Sequence, residues 1–79
     1  MPVVLRVNGY KFFFYEADVA NEPPHVHIDR DGYSAKFWLR KVTLAHNLGF
    51  AKKELNELHK MVSQHQQHLL DQWNEHFTA

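Results

Sequence analysis

Two short turn signals constrain the fold of this chain more than any other feature. Asn8-Gly9 and Asp31-Gly32 each separate two runs that are rich in β-branched and aromatic residues. Such a pair between two β-rich runs is typical of a two-residue type I′ hairpin, in which both central residues need a positive φ. The sequence therefore predicts two β-hairpins, one centred on each turn.

The turn in the second hairpin also predicts which residues lie opposite one another. Counting outward from Asp31-Gly32 pairs His25 with Trp38 and His27 with Lys36. Because side chains alternate along a strand, the count separates an apolar face from a polar one. The apolar face consists of Val26, Ile28, Ala35, Phe37 and Leu39. The opposite face consists of His25, His27, Asp29, Ser34, Lys36 and Trp38.

The same count in the first hairpin again separates two faces. One face consists of Val3, Leu5, Val7, Tyr10, Phe12 and Phe14. The other consists of Val4, Arg6, Lys11, Phe13 and Tyr15. We expect the first, more apolar group to join the apolar face of the second hairpin beneath a covering helix, because burial of apolar area is the main stabilising term in so short a chain.

A helical period begins at Phe50 and continues to the end of the chain. Apolar residues recur at spacings of three, four or seven positions, as expected for one stripe along a helix: Ala51, Leu55, Leu58, Val62, Leu69, Trp73 and Phe77. A straight helix of this length would be roughly 40 Å long, against about 20 Å for the strands. We therefore expect its end to overhang the sheet and leave Leu69, Leu70, Trp73 and Phe77 in need of cover, unless the helix bends back or frays near Gln66.

These patterns predict an α+β fold. We expect an antiparallel meander of two hairpins packed on one long C-terminal helix, in a single domain over residues 1–79, with the sheet region at 1–47 and the helix at 50–78. The segment RKVTLAHNL is compatible with a fifth short strand or with a helical turn. A polar loop, EADVANEPP, connects the hairpins, and its prolines favour an extended entry into the third strand.

The face of the sheet away from the helix is the candidate functional surface. In the predicted fold no other part of the chain covers it, and a contiguous exposed patch of aromatic residues usually marks a binding site. The candidate binding residues are Arg6, Lys11, Phe13, Tyr15, His25, His27, Lys36 and Trp38. We refer to these eight residues as the outer face.

Two chemical alternatives centre on the histidines. A small RNase or metal-dependent hydrolase could use His25 or His27 as general acid or base, with Lys36 and Arg6 stabilising charge on a phosphate. The same imidazoles are weak candidates for metal ligands, with a third ligand from His46, Asp29 or a second chain. An HxH pair is a common pattern, however, and the sequence contains no motif specific to RNase or hydrolase chemistry or to a metal site.

Composition narrows the function classes further. With no cysteine, the chain has neither a disulfide framework nor a thiolate metal site, and the residues give no reason to expect a cofactor. Nine basic and nine acidic residues give zero formal charge, so the net charge does not indicate nucleic-acid binding. The start MPVVLRV has no features of a secretory signal, and no apolar run is long enough to cross a membrane. We therefore expect a cytoplasmic protein that does not bind membranes.

The chain resembles a known family of short bacterial and archaeal proteins. The similarity lies in FFFYEADVANEPPHVHIDRDGYSAKFWL and in LAHNLGFAKKELNEL, and it covers nearly the whole sequence. These segments resemble domain of unknown function 4160, whose pattern combines an aromatic strand, PPHVH, an AKFWL-like strand and a helix that starts with GF-x-x-x-E-L. The motif positions in this chain are Pro23, Pro24, His25, His27, Lys36, Phe37, Trp38, Gly49 and Phe50.

The resemblance implies an accessory role and no established reaction. Members of the family look like small proteins encoded beside another small protein, an arrangement similar to toxin and antitoxin pairs. Together with the outer face, this implies a cytoplasmic protein-interaction module that binds a small protein partner. A homodimer, held by the overhanging helix end, is a second option.

Overall fold

The architecture is an open antiparallel sheet followed by two helices. The computed structural model describes residues 3–15 and 22–78. The elements are β1 Val3–Val7, β2 Tyr10–Phe13, β3 His25–Arg30, β4 Tyr33–Trp38, β5 Thr43–Leu48, α1 Lys52–Gln64 and α2 Gln66–Thr78. The strands lie in the order β1-β2-β3-β4-β5, so the predicted α+β meander is confirmed. The undecided segment between sheet and helix forms the fifth strand.

Both hairpin turns have the backbone conformation that their sequences predict. Asn8 and Gly9 have φ of 50° and 84°, and Asp31 and Gly32 have φ of 52° and 83°. Positive φ at both central residues is the property of type I′ turns that matches the twist of the flanking strands. The register from His25↔Trp38 to Arg30↔Tyr33 is the one obtained by counting from the second turn.

The first hairpin departs from its predicted register at the start of β1. Val7 pairs with Tyr10 and Leu5 with Phe12 as expected, but Val3 pairs with Phe13 because a bulge interrupts the strand. The prediction that placed Val3 on the helix side and Val4 opposite is therefore wrong. Val4 packs against the core, whereas Val3 is exposed. When the count runs outward from the turn, an extra residue in one strand moves every side chain beyond it to the other face.

The C-terminal half forms two helices in place of one long helix, and the break lies where the alternative of a bend near Gln66 placed it. The break falls at His65, with φ −107° and ψ 14°, and α2 begins at Gln66. The Gln66 amide nitrogen donates to the carbonyl oxygens of Leu39 at 2.8 Å and Arg40 at 3.0 Å, so a tertiary contact anchors the break to the turn after β4. Neither proline nor glycine marks this position in the sequence.

The bend keeps the second helix on the sheet. Leu58, Val62, Leu69 and Trp73 are all buried, and Leu70 and Phe77 pack partly buried against the same core. The overhang expected of a straight helix does not form, because the helix bends back as the alternative allowed and these side chains are covered within the chain itself. The sheet contributes the other half of the core: Tyr10, Phe12, Phe14, Val26, Ile28, Ala35, Phe37 and Leu39.

A short connection joins β5 to α1. The Asn47 side chain accepts from the Phe50 backbone N–H at 3.1 Å and donates to the Phe50 carbonyl at 3.0 Å, which closes the loop. Gly49 adopts a φ of 102°, which favours glycine. Of the predicted loop between the hairpins, residues 16–21 lie outside the described residues. Neither helix in the described part of the chain is long and apolar enough to cross a membrane.

Candidate functional site

Side chains of β2, β3 and β4 meet on the outer face as their register requires. His27 lies opposite both Phe13 and Lys36, and His25 lies opposite Trp38. The ring centroids of Phe13 and His27 are 5.5 Å apart in a stacked arrangement, and those of His25 and Trp38 are 5.6 Å apart edge to face. A continuous chain of aromatic and imidazole rings therefore crosses this side of the sheet.

Much of this ring cluster is buried, in contrast to the predicted open patch. Phe13 is 1% exposed and His25 is 0% exposed. The Phe13 ring contacts Tyr15 at 5.1 Å, and the Lys11 ammonium lies 5.5 Å from its centroid. Tyr15 remains 46% exposed. Phe13 and His25 are therefore packed beneath other side chains of the outer face. They stabilise it but are not available as contact residues on its surface.

His25 connects the outer face to the second helix. Its ring centroid lies 5.1 Å from that of Trp73 in α2, although the strand count predicts that it points away from the helix. Its Nδ1 lies 2.9 Å from the Pro23 carbonyl oxygen, which only accepts, so Nδ1 carries the proton. The predicted separation of His25 from the helix is wrong, because this residue begins β3 at the end of the sheet where α2 reaches it.

Lys36, the cation of the proposed catalytic group, already has an anionic partner. Its ammonium forms an ion pair with the Glu22 carboxylate and lies 4.8 Å from the centroid of the Trp38 ring. The pair and the cation–π contact hold Lys36 and Trp38 in one arrangement. Glu22 immediately precedes the two prolines, so the PPHVH motif is connected to the middle of β4.

The other basic candidates lie towards the opposite end of the sheet. Arg6 pairs with Lys11 across the first hairpin, next to its turn, and Arg6 is exposed. Lys11 also lies opposite Asp29 in β3. The eight predicted binding residues therefore share a face, but Arg6 and Lys11 are separated from Trp38 by the length of the strands.

The candidate metal ligands do not come together in groups of three. His46 lies opposite Lys36, and Asp29 lies opposite Ser34. Within residues 3–15 and 22–78, no three His, Asp or Glu side chains are arranged to hold a metal ion. The described side chains therefore offer no preformed set of ligands around the HxH pair.

A cleft lies beside the PPHVH motif, at the end of the sheet where β4 turns into β5. Its volume is about 300 Å³, and we call it the Pro–Trp cleft. It is lined by Pro23, Pro24, Trp38, Arg40, Lys41 and Thr43. Its position is set by a hydrogen bond of 3.0 Å from the Leu39 N–H to the Pro24 carbonyl, which joins the motif to the end of β4.

The cleft combines apolar walls with positive charge. Trp38 and the prolines supply the walls, while Arg40 and Lys41 are both exposed. Arg30, Lys36 and Lys60 form ion pairs with carboxylates, whereas neither Arg40 nor Lys41 has such a partner among the residues that the structure describes. A concave apolar site with a few polar groups at its rim is a typical ligand site, and these charges favour an anionic group.

Sequence reasoning missed Arg40, Lys41 and Thr43 as site residues. The signal for them was the basic pair that follows the FWL strand directly. That pair stood in the segment whose secondary structure the sequence left undecided, so its position relative to the prolines was not predictable.

Comparison with known proteins identifies the family. The model of Domain of unknown function (DUF4160) matches residues 9–74. The chain belongs to this family. Among curated proteins and solved structures, none matches the chain. The DUF4160 match runs from the first turn through most of α2 and includes the PPHVH motif and every residue of the Pro–Trp cleft. The expected resemblance is thus confirmed, and the family itself carries no assigned activity.

Proposed function

We propose that this DUF4160 protein is a protein-binding module, one component of a toxin–antitoxin-like pair, that holds an acidic segment of its partner in the Pro–Trp cleft. The observation that carries the proposal is that Arg40 and Lys41, which form no ion pair with another described residue, lie beside an apolar wall. Carboxylates entering the cleft would meet two cations that have no internal partner among the described residues. Complementary charge at an interface speeds association and selects the partner.

The cleft wall is suited to binding because Trp38 is held in place before a partner arrives. Lys36 lies against its ring at 4.8 Å, and His25 contacts it at 5.6 Å from the buried side. Large aromatic side chains in well-packed surroundings are frequent hot spots of protein interfaces. Little side-chain entropy would then be lost at Trp38 on binding.

The catalytic alternative finds less support in this geometry. A general acid or base must come within hydrogen-bond reach of the group whose proton it transfers. His25 is 0% exposed, and the Lys36 ammonium is already paired with Glu22. Both would have to move before they met a phosphate. Binding at the cleft needs no such rearrangement.

Co-expression with the product of the adjacent gene tests the proposal. The tagged protein is expressed alone and with that product, and growth arrest and co-purification are scored. We expect one component alone to arrest growth, relief of arrest on co-expression, and a stable complex. The double variant Arg40→Glu with Lys41→Glu should weaken the complex at least about tenfold.

The matched control reverses the charge of two lysines that lie away from the Pro–Trp cleft. Lys52 and Lys53 are exposed at the start of α1, across the length of β5 from the cleft, so Lys52→Glu with Lys53→Glu changes the net charge equally. The control should bind like the unaltered protein. A complex weakened equally by both double variants, or the absence of any complex and of any effect on growth, would overturn the proposal.

A further inference from the structure

We infer that the bound partner segment pairs antiparallel with the outer edge of β5 as a sixth strand, with its acidic carboxyl-terminal end in the Pro–Trp cleft. This inference deepens the proposed function and rests on it. It concerns the backbone edge of the sheet, whereas the proposed function rests on the charges at the cleft.

The first supporting observation is that β5 is an edge strand with neither charged residues nor proline along it. Its one neighbour in the described part of the sheet is β4, so one side of its backbone has no strand beside it. Natural edge strands commonly carry charges or proline, which prevent pairing with other chains. The sequence of β5, TLAHNL, contains no lysine, arginine, carboxylate or proline.

The opposite edge of the same sheet is protected, which makes the contrast informative. The edge strand β1 carries Arg6, is interrupted by a bulge after Val3, and gives its Val4 carbonyl to His68 of α2 at 3.2 Å. β5 has an irregularity of its own, where its pairing shifts opposite Lys36 and Phe37. On one side of that shift Thr43 and Leu44 are paired with β4, and on the other side His46, Asn47 and Leu48 are paired with it.

Side-chain exposure along β5 fits a missing neighbour. Leu44 is 43% exposed and Leu48 is 61% exposed. They lie opposite Phe37 and Ser34 respectively, on different faces of the sheet. A strand placed alongside β5 would cover part of both leucines, because its own side chains would alternate between the same two faces.

The cleft and the edge form one continuous path. Thr43 lines the cleft and is also the first residue of β5, and Arg40 and Lys41 precede it in the chain. A strand running antiparallel to β5 travels from Leu48 towards Thr43, so its carboxyl-terminal end arrives at the two cations. Addition of an extended peptide to a sheet edge is a recurrent mode of recognition, in which backbone hydrogen bonds supply affinity and side-chain pockets supply specificity.

Synthetic peptides separate strand addition from simple charge capture. One peptide alternates valine and threonine and ends in two aspartates, and a second carries the aspartates at its amino terminus. Two further versions of the first peptide are methylated at alternate backbone nitrogens, each in one of the two possible registers. Binding to the full chain is measured by titration calorimetry and by tryptophan fluorescence.

We expect the peptide with carboxyl-terminal aspartates to bind about tenfold more tightly than its reversed counterpart. Methylation in one register should abolish binding, because it removes the N–H groups that face β5, whereas methylation in the other should change affinity less than about threefold. The double variant Leu44→Lys with Leu48→Lys should lose binding while retaining its circular dichroism spectrum. Val3→Lys, on the protected edge, is the matched control and should bind normally.

Three outcomes would overturn the inference. In the first, methylation in the two registers changes peptide affinity equally, while the Arg40→Glu and Lys41→Glu variant still loses binding. That result would support charge capture at the cleft, as in the proposed function, without strand addition. Capture of the adjacent-gene product with no binding of any peptide would have the same meaning. A peptide-free dimer that Leu44→Lys with Leu48→Lys dissociates would assign the edge to a second copy of this chain.

Discussion

The imidazole of His25 lies against the indole of Trp73, with 5.1 Å between the ring centroids, although the strand count places His25 on the face away from the helices. His25 also contacts Trp38 and His27, at 5.6 and 5.2 Å. One fully buried histidine therefore contacts α2 and two other residues of the outer face at the same time. The first histidine of PPHVH joins the two sides of the sheet.

The packing of His25 predicts a structural role. His25→Ala removes a buried ring and leaves a cavity among aromatic side chains, so it should lower the free energy of unfolding by about 2–3 kcal/mol. His46→Ala, at an exposed position, should change it by less than about 0.5 kcal/mol. Urea unfolding followed by tryptophan fluorescence measures both. Equal stability of the two variants would contradict the role assigned to His25.

Gly49 and Gly32 should respond differently to the same substitution. Both have positive φ, 102° and 83°, but a Cβ at Gly49 would come within 3.0 Å of Tyr33 ring carbons, whereas nothing lies within 4 Å of a Cβ at Gly32. Gly32→Ala should cost about 1 kcal/mol from backbone strain alone, and Gly49→Ala about 3 kcal/mol.

Removal of the neighbouring ring separates the two contributions at Gly49. In a Tyr33→Ala background, Gly49→Ala should cost about 1 kcal/mol, which is about 2 kcal/mol less than in the unaltered chain, because only the backbone strain remains. Thermal and urea unfolding of the four variants completes the cycle. A cost at Gly49 that does not change with Tyr33 would show that the ring moves aside without penalty.

The break between the helices should depend on Gln66. Gln66→Ala removes two hydrogen bonds and leaves the Leu39 and Arg40 carbonyls without this donor, so it should reduce stability by about 1–2 kcal/mol. Gln67→Ala is the matched control, since the Gln67 amide donates to the exposed Asp71 in its own helix, and it should cost less than about 0.5 kcal/mol. Denaturant titration compares them. Similar losses would show that the Gln66 contacts do not stabilise the bend.

Tyr10 should make stability depend on alkaline pH. Burial, followed by the hydrogen bond from its hydroxyl to Glu54, raises the pKa of Tyr10 above the usual value of 10.0. Because the folded chain holds this proton more tightly than the unfolded chain, the contribution is fully present below pH 10 and is lost as the pH rises through the folded pKa. Tyr10→Phe should remove this part of the alkaline loss. Urea unfolding across the alkaline range, with phenolate absorbance as the titration signal, compares the two proteins. Identical pH profiles of stability would contradict the role assigned to Tyr10.

The sequence determined the local geometry of the sheet. Asn8-Gly9 and Asp31-Gly32 specify two-residue turns because few other pairs adopt positive φ at low cost, and the turn then sets the register of each strand residue by residue. The pairing of His25 with Trp38 and of His27 with Lys36 followed from counting alone. The apolar stripe after Phe50 likewise predicted which helical residues are buried, including Leu58, Leu69 and Trp73.

Tertiary structure decided what no local pattern contains. The helix bends at His65 without proline or glycine, because Gln66 finds carbonyl partners in the turn after β4 and because Leu69 and Trp73 must stay on a sheet shorter than a straight helix. The bulge in β1 likewise places Val4 against the core, where the count had placed Val3. The Pro–Trp cleft depends on the Pro24 to Leu39 hydrogen bond, which joins segments fifteen positions apart. Register is a short-range property of the chain, whereas burial and concavity depend on which distant segments pack together.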